Sequence, residues 1–403
     1  MSREGKLAKN TAILAVGTFL PNIGAFVVVP ILTGCLTKVE YGTYDLVLVL
    51  VSLILPVATL EIQTAAFRFL IDVRDNPTEI KKIITSMCVF VTIVSIIALV
   101  ITYFFLPVED AVTKLIICLY FLADILVNSV RQCARGLAKN KDYTISAIIS
   151  ATCKVVLVAI LVWGLKAGIK GAFLALFAAS TISLIALAIR MKLHRYIDLS
   201  LVTWQQIKEM LKYSWPMVPN NLSFAVMRYS DRFVITLFMG VASNAVYAVA
   251  NKIPNILSIA QKTFTMAWQE NASVVSRDED AGAYYSAMFR TMYDLVAGFL
   301  GMLIAVTPLL FVILIRGDYG EAYFQMPVLF LSMFFYSMCG FLGGIYVAYK
   351  ETKSVGITTM LAALCNLVVD LAFIRLIGLY AASGSTLVSY LFLFVYRIFD
   401  IRK

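Results

Sequence analysis

Residues 212–221 read Lys212-Tyr-Ser-Trp-Pro-Met-Val-Pro-Asn-Asn221. The apolar run that follows is interrupted by Arg228-Tyr-Ser-Asp231-Arg232 and resumes to Gly240; a second apolar run then carries Lys252. At about 1.5 Å per residue, such runs are long enough to cross a bilayer. Three charges therefore fall deep inside a membrane-spanning segment, where each costs about 2.5–3.5 kcal/mol to insert and needs a partner or a wet cavity. Arg228, Asp231 and Arg232 stand at i, i+3 and i+4, so they share one helix face. An internal ion pair that locks helix packing is one reading, and a cation-lined cavity is the other. Two cations against one anion leave a positive charge over, which favours the cavity.

The rest of the chain agrees with a membrane setting. Of 403 residues, 61% are apolar and 14% charged, and the mean hydropathy is +0.87. A soluble domain carries about 25% charged residues, so the composition is that of an all-α polytopic membrane protein. The length admits about twelve spans with short loops and leaves no room for a soluble domain. The net charge of +10 does not imply nucleic acid. Lys and Arg concentrate in loops on one side of the spans, the positive-inside asymmetry that sets both termini in the cytoplasm. The apolar region 11–33 is too long for a signal peptide and reads as the first span. The seven cysteines are scattered, and the one histidine, His194, lies in a loop. No His-based metal site or histidine proton relay is expected.

In chain order, spans are expected near 9–34, 43–70, 83–106, 114–136, 145–165 and 171–190, then 213–240, 244–268, 286–314, 326–348, 355–376 and 381–399. Domains follow as a six-helix bundle at 1–190, a linker at 191–212 and a second six-helix bundle at 213–403. Pro21 in span 1 and Pro219 in span 7 are expected hinges. Glu61 and Arg68 share a face of span 2, and Arg68 is explained equally by snorkelling toward the membrane surface. Asp124 lies deep in span 4, with Arg131 two turns on, and Lys154 is near the middle of span 5. Ala175, Ala179 and Ser183 line one face of span 6 and suit close helix contact. In the linker, Thr203 and Gln206 have capping-box spacing, and Trp204, Ile207 and Leu211 share a face. That predicts a short helix lying on the headgroups or packed on the bundle. Cys339-Gly-Phe-Leu-Gly-Gly344 in span 10 is flexible or close-packed. Leu20-Pro21-Asn22 parallels Val218-Pro219-Asn220, and Tyr44 parallels Tyr247, a faint repeat. Transporters built from parallel repeats bind substrate between their halves near the midplane.

No Gly-x-x-x-x-Gly-Lys-[Ser/Thr] motif is present, so direct use of ATP is not expected. No glycine filter suggests a channel, and the short outer loops are poor ground for an enzyme of polysaccharide assembly. What remains is a cation-heavy set of buried ionisable residues: Arg228, Arg232, Lys252 and Lys154, with Arg68 and Arg131 nearer the cytoplasm. The acids Glu61, Asp124, Asp231 and Asp370 accompany them as candidates for ion coupling or charge balance. Such a lumen suits an anion, and the planar fork of Arg suits phosphate. A cation-coupled exporter of cationic drugs would call for an acid-dominated cavity instead.

These residues also resemble a family. Arg228-Tyr-Ser-Asp-Arg-Phe-Val-Ile, Tyr247-Ala-Val-Ala-Asn-Lys-Ile-Pro-Asn-Ile-Leu and Phe264-Thr-Met-Ala-Trp-Gln look like a signature of the lipid-linked oligosaccharide, or polysaccharide repeat-unit, flippases. Lys9-Asn-Thr-Ala-Ile-Leu, Leu36-Thr-Lys-Val-Glu-Tyr-Gly-Thr-Tyr44 and Ala65-Ala-Phe-Arg68-Phe agree. Around Asn244-Ala245 the usual Gly is missing, and Gln269 stands where many relatives have Pro; neither touches a cationic position. The resemblance implies the multidrug/oligosaccharidyl-lipid/polysaccharide exporter fold, two six-helix bundles forming a V around a cationic cavity. It implies export of an undecaprenyl-diphosphate-linked oligosaccharide across the bacterial cytoplasmic membrane by alternating access. It further implies no cofactor beyond a coupling Na+ or H+, and partners among a polysaccharide polymerase and glycosyltransferases.

Overall fold

The structure is a computed structural model that describes residues 21–276, 278–349 and 351–401. Among these there are helices and connecting turns but no strand. The expected first span begins within residues 1–20, so its start, with Lys9, lies outside the described residues. Nine of the described helices are long and apolar enough to cross a membrane. The chain is a multi-pass membrane protein with the all-α fold that its composition predicts.

Two compact units divide it, one running to Ala225 and the other beginning at Val226. The first contains α1 (Pro21–Cys35), α2 (Lys38–Thr59), α3 (Ile62–Asp72), α4 (Pro77–Phe105), α5 (Ala111–Gly136), α6 (Asn140–Val158), α7 (Gly168–Met191) and the linker helix α8 (Trp204–Ser214). The helix α9 (Met217–Met239) starts in this unit and continues into the second. There follow α10 (Val241–Ala250), α11 (Asn255–Val275), α12 (Ala281–Leu314), α13 (Gly320–Ala348), α14 (Thr352–Ile377) and α15 (Leu379–Ile401).

Side chains at the helix starts explain where the helices begin. Thr37 and Glu40 close a capping box on α2, each side chain accepting the other residue's backbone N–H. Asn76 caps α4, with Pro77 in its first turn. Asp110 caps α5, and the hydroxyl and backbone N–H of Thr113, aided by Lys170, hold its carboxyl below the usual carboxylate range. Thr203 caps α8 through the N–H of Gln206, as the spacing predicts. Of the two readings of that helix, packing on the bundle accounts for its apolar face: Ile207 and Met210 are buried in the cluster formed by α3, α4 and α5. Trp204 is left exposed.

Two expected spans are broken. Span 2 divides into α2 and α3 at Leu60 and Glu61, which both adopt positive φ (48° and 56°) although neither is glycine. Such left-handed residues are strained and persist only where their surroundings hold them. Span 8 divides into α10 and α11 at residues 251–254. Pro219 falls in the first turn of α9, where a missing N–H costs nothing, and Pro21 is the first residue described in α1.

Close packing is built from small residues. Ala175, Ala179 and Ser183 of α7 are buried, and Ser183 donates to the Ser146 carbonyl of α6 at 2.8 Å. In α13 the glycine-rich stretch is close-packed: the Trp268 indole stacks on Phe341 with centroids 4.3 Å apart and donates to the Phe341 carbonyl. A methyl group at Gly344 would run into that indole. We therefore expect Gly344→Ala to lower the thermal stability of the purified protein by about 1–3 kcal/mol, measured as loss of monodisperse protein on heating in detergent. Gly298→Ala, which meets nothing within 4 Å, is expected to leave it unchanged.

Candidate functional site

In the second unit, α9 aims its three charges at different surroundings. Asp231 and Arg232 are buried, at 5% and 9% exposure, while Arg228 is exposed. Arg228 keeps the company of the phenols of Tyr229, Tyr336 and Tyr390. Asp231 turns toward α10 and α15. Its Oδ2 accepts from the Tyr247 hydroxyl at 2.8 Å and the Thr386 hydroxyl at 2.8 Å. Its Oδ1 has no hydrogen-bond partner.

Asp370 of α14 is fully buried, and neither of its carboxylate oxygens has a hydrogen-bond partner. It lies within electrostatic reach of Asp231. Asn366, one turn earlier, accepts from the Ser230 hydroxyl at 3.2 Å and donates to the Ser385 hydroxyl at 3.3 Å. Two carboxylates thus lie within electrostatic reach of each other, beside the hydroxyls of Tyr247 and Thr386 and the Asn366 amide. A carboxylate in such a place is tolerable when a proton or a cation neutralises it. No group of three or more His, Cys, Asp or Glu able to hold a metal ion occurs among the described residues. The available ligands are the hard oxygen donors that suit a light cation.

Arg232 lies over the Tyr247 ring, 5.8 Å from its centroid. Lys252 is partly buried in the break between α10 and α11, and the side chain of its neighbour Asn251 donates back to the Tyr247 carbonyl at 2.9 Å.

In the first unit the predicted residues separate. Glu61 sits at the break of span 2, only 7% exposed. Its Oε2 accepts from the Thr64 hydroxyl (2.8 Å) and the Gln63 amide (3.2 Å), and its Oε1 from the Asn221 amide at the start of α9 (2.9 Å). Ser214 donates to the Leu60 carbonyl beside it. Arg68 is on the surface, paired with Asp72 one turn on, which fits the snorkelling explanation of that residue. Asp124 accepts from the Asn128 amide at 3.0 Å, and both Arg131 and Lys154 lie within electrostatic reach of it. Lys154 therefore has an acid beside it inside its own bundle. Arg131 donates to the Ser146 hydroxyl and carbonyl and to the Ser183 hydroxyl, tying α5 to α6 and α7.

The structure thus brings Asp231, Asp370 and Arg232 into one neighbourhood, and Lys154 to Asp124. It leaves Arg68 apart. Tyr247, Thr386, Asn366, Gln63 and Asn221 are site residues that the charge-centred reading of the sequence passed over. Their signal was present in Asn366-x-x-x-Asp370: polar residues one turn apart inside an otherwise apolar span.

A family model described as "Polysaccharide biosynthesis protein" matches residues 7–269. No curated protein matches the sequence. Among solved structures, an inward-facing multidrug resistance MATE family transporter of the MOP superfamily aligns with a TM-score of 0.77 at 12% identity, covering 98% of each chain. The outward-facing form of a transporter of that description aligns at 0.61 and 12% identity, covering 98% of this chain and 95% of that one. A MOP superfamily transporter from Pyrococcus furiosus, reported with a binding pocket of reversed polarity, aligns at 0.60 and 12% identity, covering 98% and 93%. At these identities the likeness establishes the fold.

The clasp on Glu61 generates a prediction. Asn221→Asp sets two carboxylates against each other at hydrogen-bond distance, so membrane-inserted protein is expected to fall with a loss of about 1–3 kcal/mol. Adding Glu61→Gln restores a donor–acceptor pair and is expected to recover it, as read by membrane abundance and detergent melting of the single and double variants.

Proposed function

The chain belongs to the polysaccharide biosynthesis protein family, and from that premise we propose that it is a flippase. Its substrate would be an undecaprenyl-diphosphate-linked oligosaccharide repeat unit, carried across the bacterial cytoplasmic membrane by alternating access. The observation that carries this reading is Arg228, a cation on α9 with the phenols of Tyr229, Tyr336 and Tyr390 within electrostatic reach. A guanidinium offers a diphosphate two parallel hydrogen bonds, and neighbouring tyrosines offer a sugar hydroxyl donors and apolar ring faces. Arg232 and Lys252 extend the positive charge along the same unit. On this reading the chain is a transporter and not an enzyme.

The energy for export comes from an ion gradient, from consumption of the product in the outer leaflet, or from the membrane potential, which is worth about 2.3 kcal/mol per charge at 100 mV. Asp231 and Asp370 take the coupling Na+ or H+, supported by three carboxylate oxygens that lack hydrogen-bond partners. Glu61 and Asp124 balance charge within the first unit. The lipid tail stays in the bilayer, and glycosyltransferases and a polymerase act before and after the step.

Arg228→Ala and Arg232→Ala are each expected to cut surface polysaccharide by at least about tenfold, the scale of one lost charge-assisted bidentate contact, while membrane abundance is unchanged. Lysine at either position should restore part of the activity, because an ammonium keeps the charge and loses the fork. The measurement is leaflet-resolved lipid-linked glycan in cells. Normal flipping by an abundant Arg228→Ala, Arg232→Ala double variant would remove the diphosphate site.

A further inference from the structure

Tyr247 touches both kinds of charge in the second unit. Its hydroxyl is committed to Asp231 Oδ2 at 2.8 Å, with the Thr386 hydroxyl and Ala382 carbonyl farther off at 3.5 Å. The face of the same ring carries the Arg232 guanidinium, 5.8 Å away. Asp231 and Arg232 are consecutive on α9, so their side chains leave the helix about 100° apart. Tyr247, 3% exposed, bridges that angle from α10.

The backbone around Tyr247 gives the bridge something to move. α10 is ten residues long, with Asn244–Ala250 buried without interruption. It ends one turn after Tyr247, in the break that holds Lys252. Asn251 fastens that end by donating to the Tyr247 carbonyl. A shift of the phenol toward or away from Asp231 therefore acts at once on the aromatic seat of Arg232 and on the turn bearing Lys252. On the other side, Asp231 Oδ1 and both oxygens of Asp370 lack hydrogen-bond partners. Neutralising those acids changes how strongly Asp231 holds the Tyr247 proton.

We propose that Tyr247 is a positioning residue that couples neutralisation of the Asp231–Asp370 acid pair to anion binding at Arg232 and Lys252. The inference rests on the diphosphate reading above and adds the link by which a coupling ion reaches the substrate site. Linkage makes the effect reciprocal: whatever neutralises the acids raises anion affinity, and bound anion raises the acid pair's affinity for a proton or cation by the same factor.

The test is a double-mutant cycle on the purified full-length protein, with inorganic pyrophosphate as the titrated probe. Asp370→Asn stands in for a neutralised acid whether the natural ligand is Na+ or a proton. In the wild-type background it is expected to raise pyrophosphate affinity about fivefold, the lower end of ordinary allosteric couplings. Tyr247→Phe keeps the ring beneath Arg232 and removes only the hydroxyl. In its presence the gain from Asp370→Asn should shrink to under about twofold, whatever the affinity of the Tyr247→Phe protein itself. Tyr247→Leu, which removes the ring as well, should weaken pyrophosphate binding on its own. An equal gain from Asp370→Asn with and without the hydroxyl would show that Tyr247 transmits nothing, and no gain in the wild type would show that the two sites are uncoupled. Either result overturns the inference and leaves the anion site standing. A wild-type protein that does not bind pyrophosphate at all overturns the diphosphate reading and the inference together.

Discussion

Charge inside an apolar bundle must be compensated at the place where it is buried, and this molecule does so mostly with neutral oxygen and nitrogen rather than with opposite charge. Arg397 of α15, 4% exposed, donates to the Cys339 and Val355 carbonyls and to the Thr358 and Thr359 hydroxyls. Arg131 is held in the same way by serines and a carbonyl, and Glu61 by two amides and a hydroxyl. A buried arginine held by neutral acceptors on neighbouring helices is a tie between them. It fixes the geometry of the helices it joins. Against that background the acids of the second unit differ in kind. Asp370 has no hydrogen-bond partner and Asp231 has one oxygen without any.

The two helix breaks follow from the same constraint. A break inside a membrane span frees backbone groups that lipid cannot satisfy, and such breaks survive only where protein or a polar cavity receives them. At Leu60–Glu61 the Ser214 hydroxyl takes the Leu60 carbonyl and the Glu61 side chain gathers three donors. At residues 251–254 the Asn251 side chain fastens the end of α10, beside Lys252. Each break therefore sits next to an ionisable side chain, where a change in charge can act on the backbone directly.

Much of the architecture was legible in the sequence because hydropathy and capping are local. Thr203-x-x-Gln206 marks a helix start that the structure has, and Ala175, Ala179 and Ser183 mark a packed face. The breaks were not legible, because Leu60 and Glu61 adopt left-handed backbone with no glycine to announce it. Pro219 sits in a first helical turn, where a proline fits without a kink. The charge census found Asp231, Asp370 and Arg232 but could not say which cations were already engaged. Arg131 and Arg397 look no different from Arg228 on a helical wheel; only the neighbouring helices show that serines, threonines and carbonyls fill the first two. Lys154 shows the same limit, since its nearness to Asp124 depends on how α5 and α6 pack.

The account turns on whether the positive charge of α9 and the following break recognises a diphosphate on a lipid. The direct measurement is flipping by the purified protein in vesicles that carry a fluorescent glycan on one of two polyprenyl anchors, one joined through a diphosphate and the other through an uncharged linkage. Leaflet exposure is read by quenching from outside under an imposed potential and a Na+ or proton gradient. The account predicts that the diphosphate-linked glycan crosses and the uncharged one stays. Equal movement of both, or of neither, would contradict it.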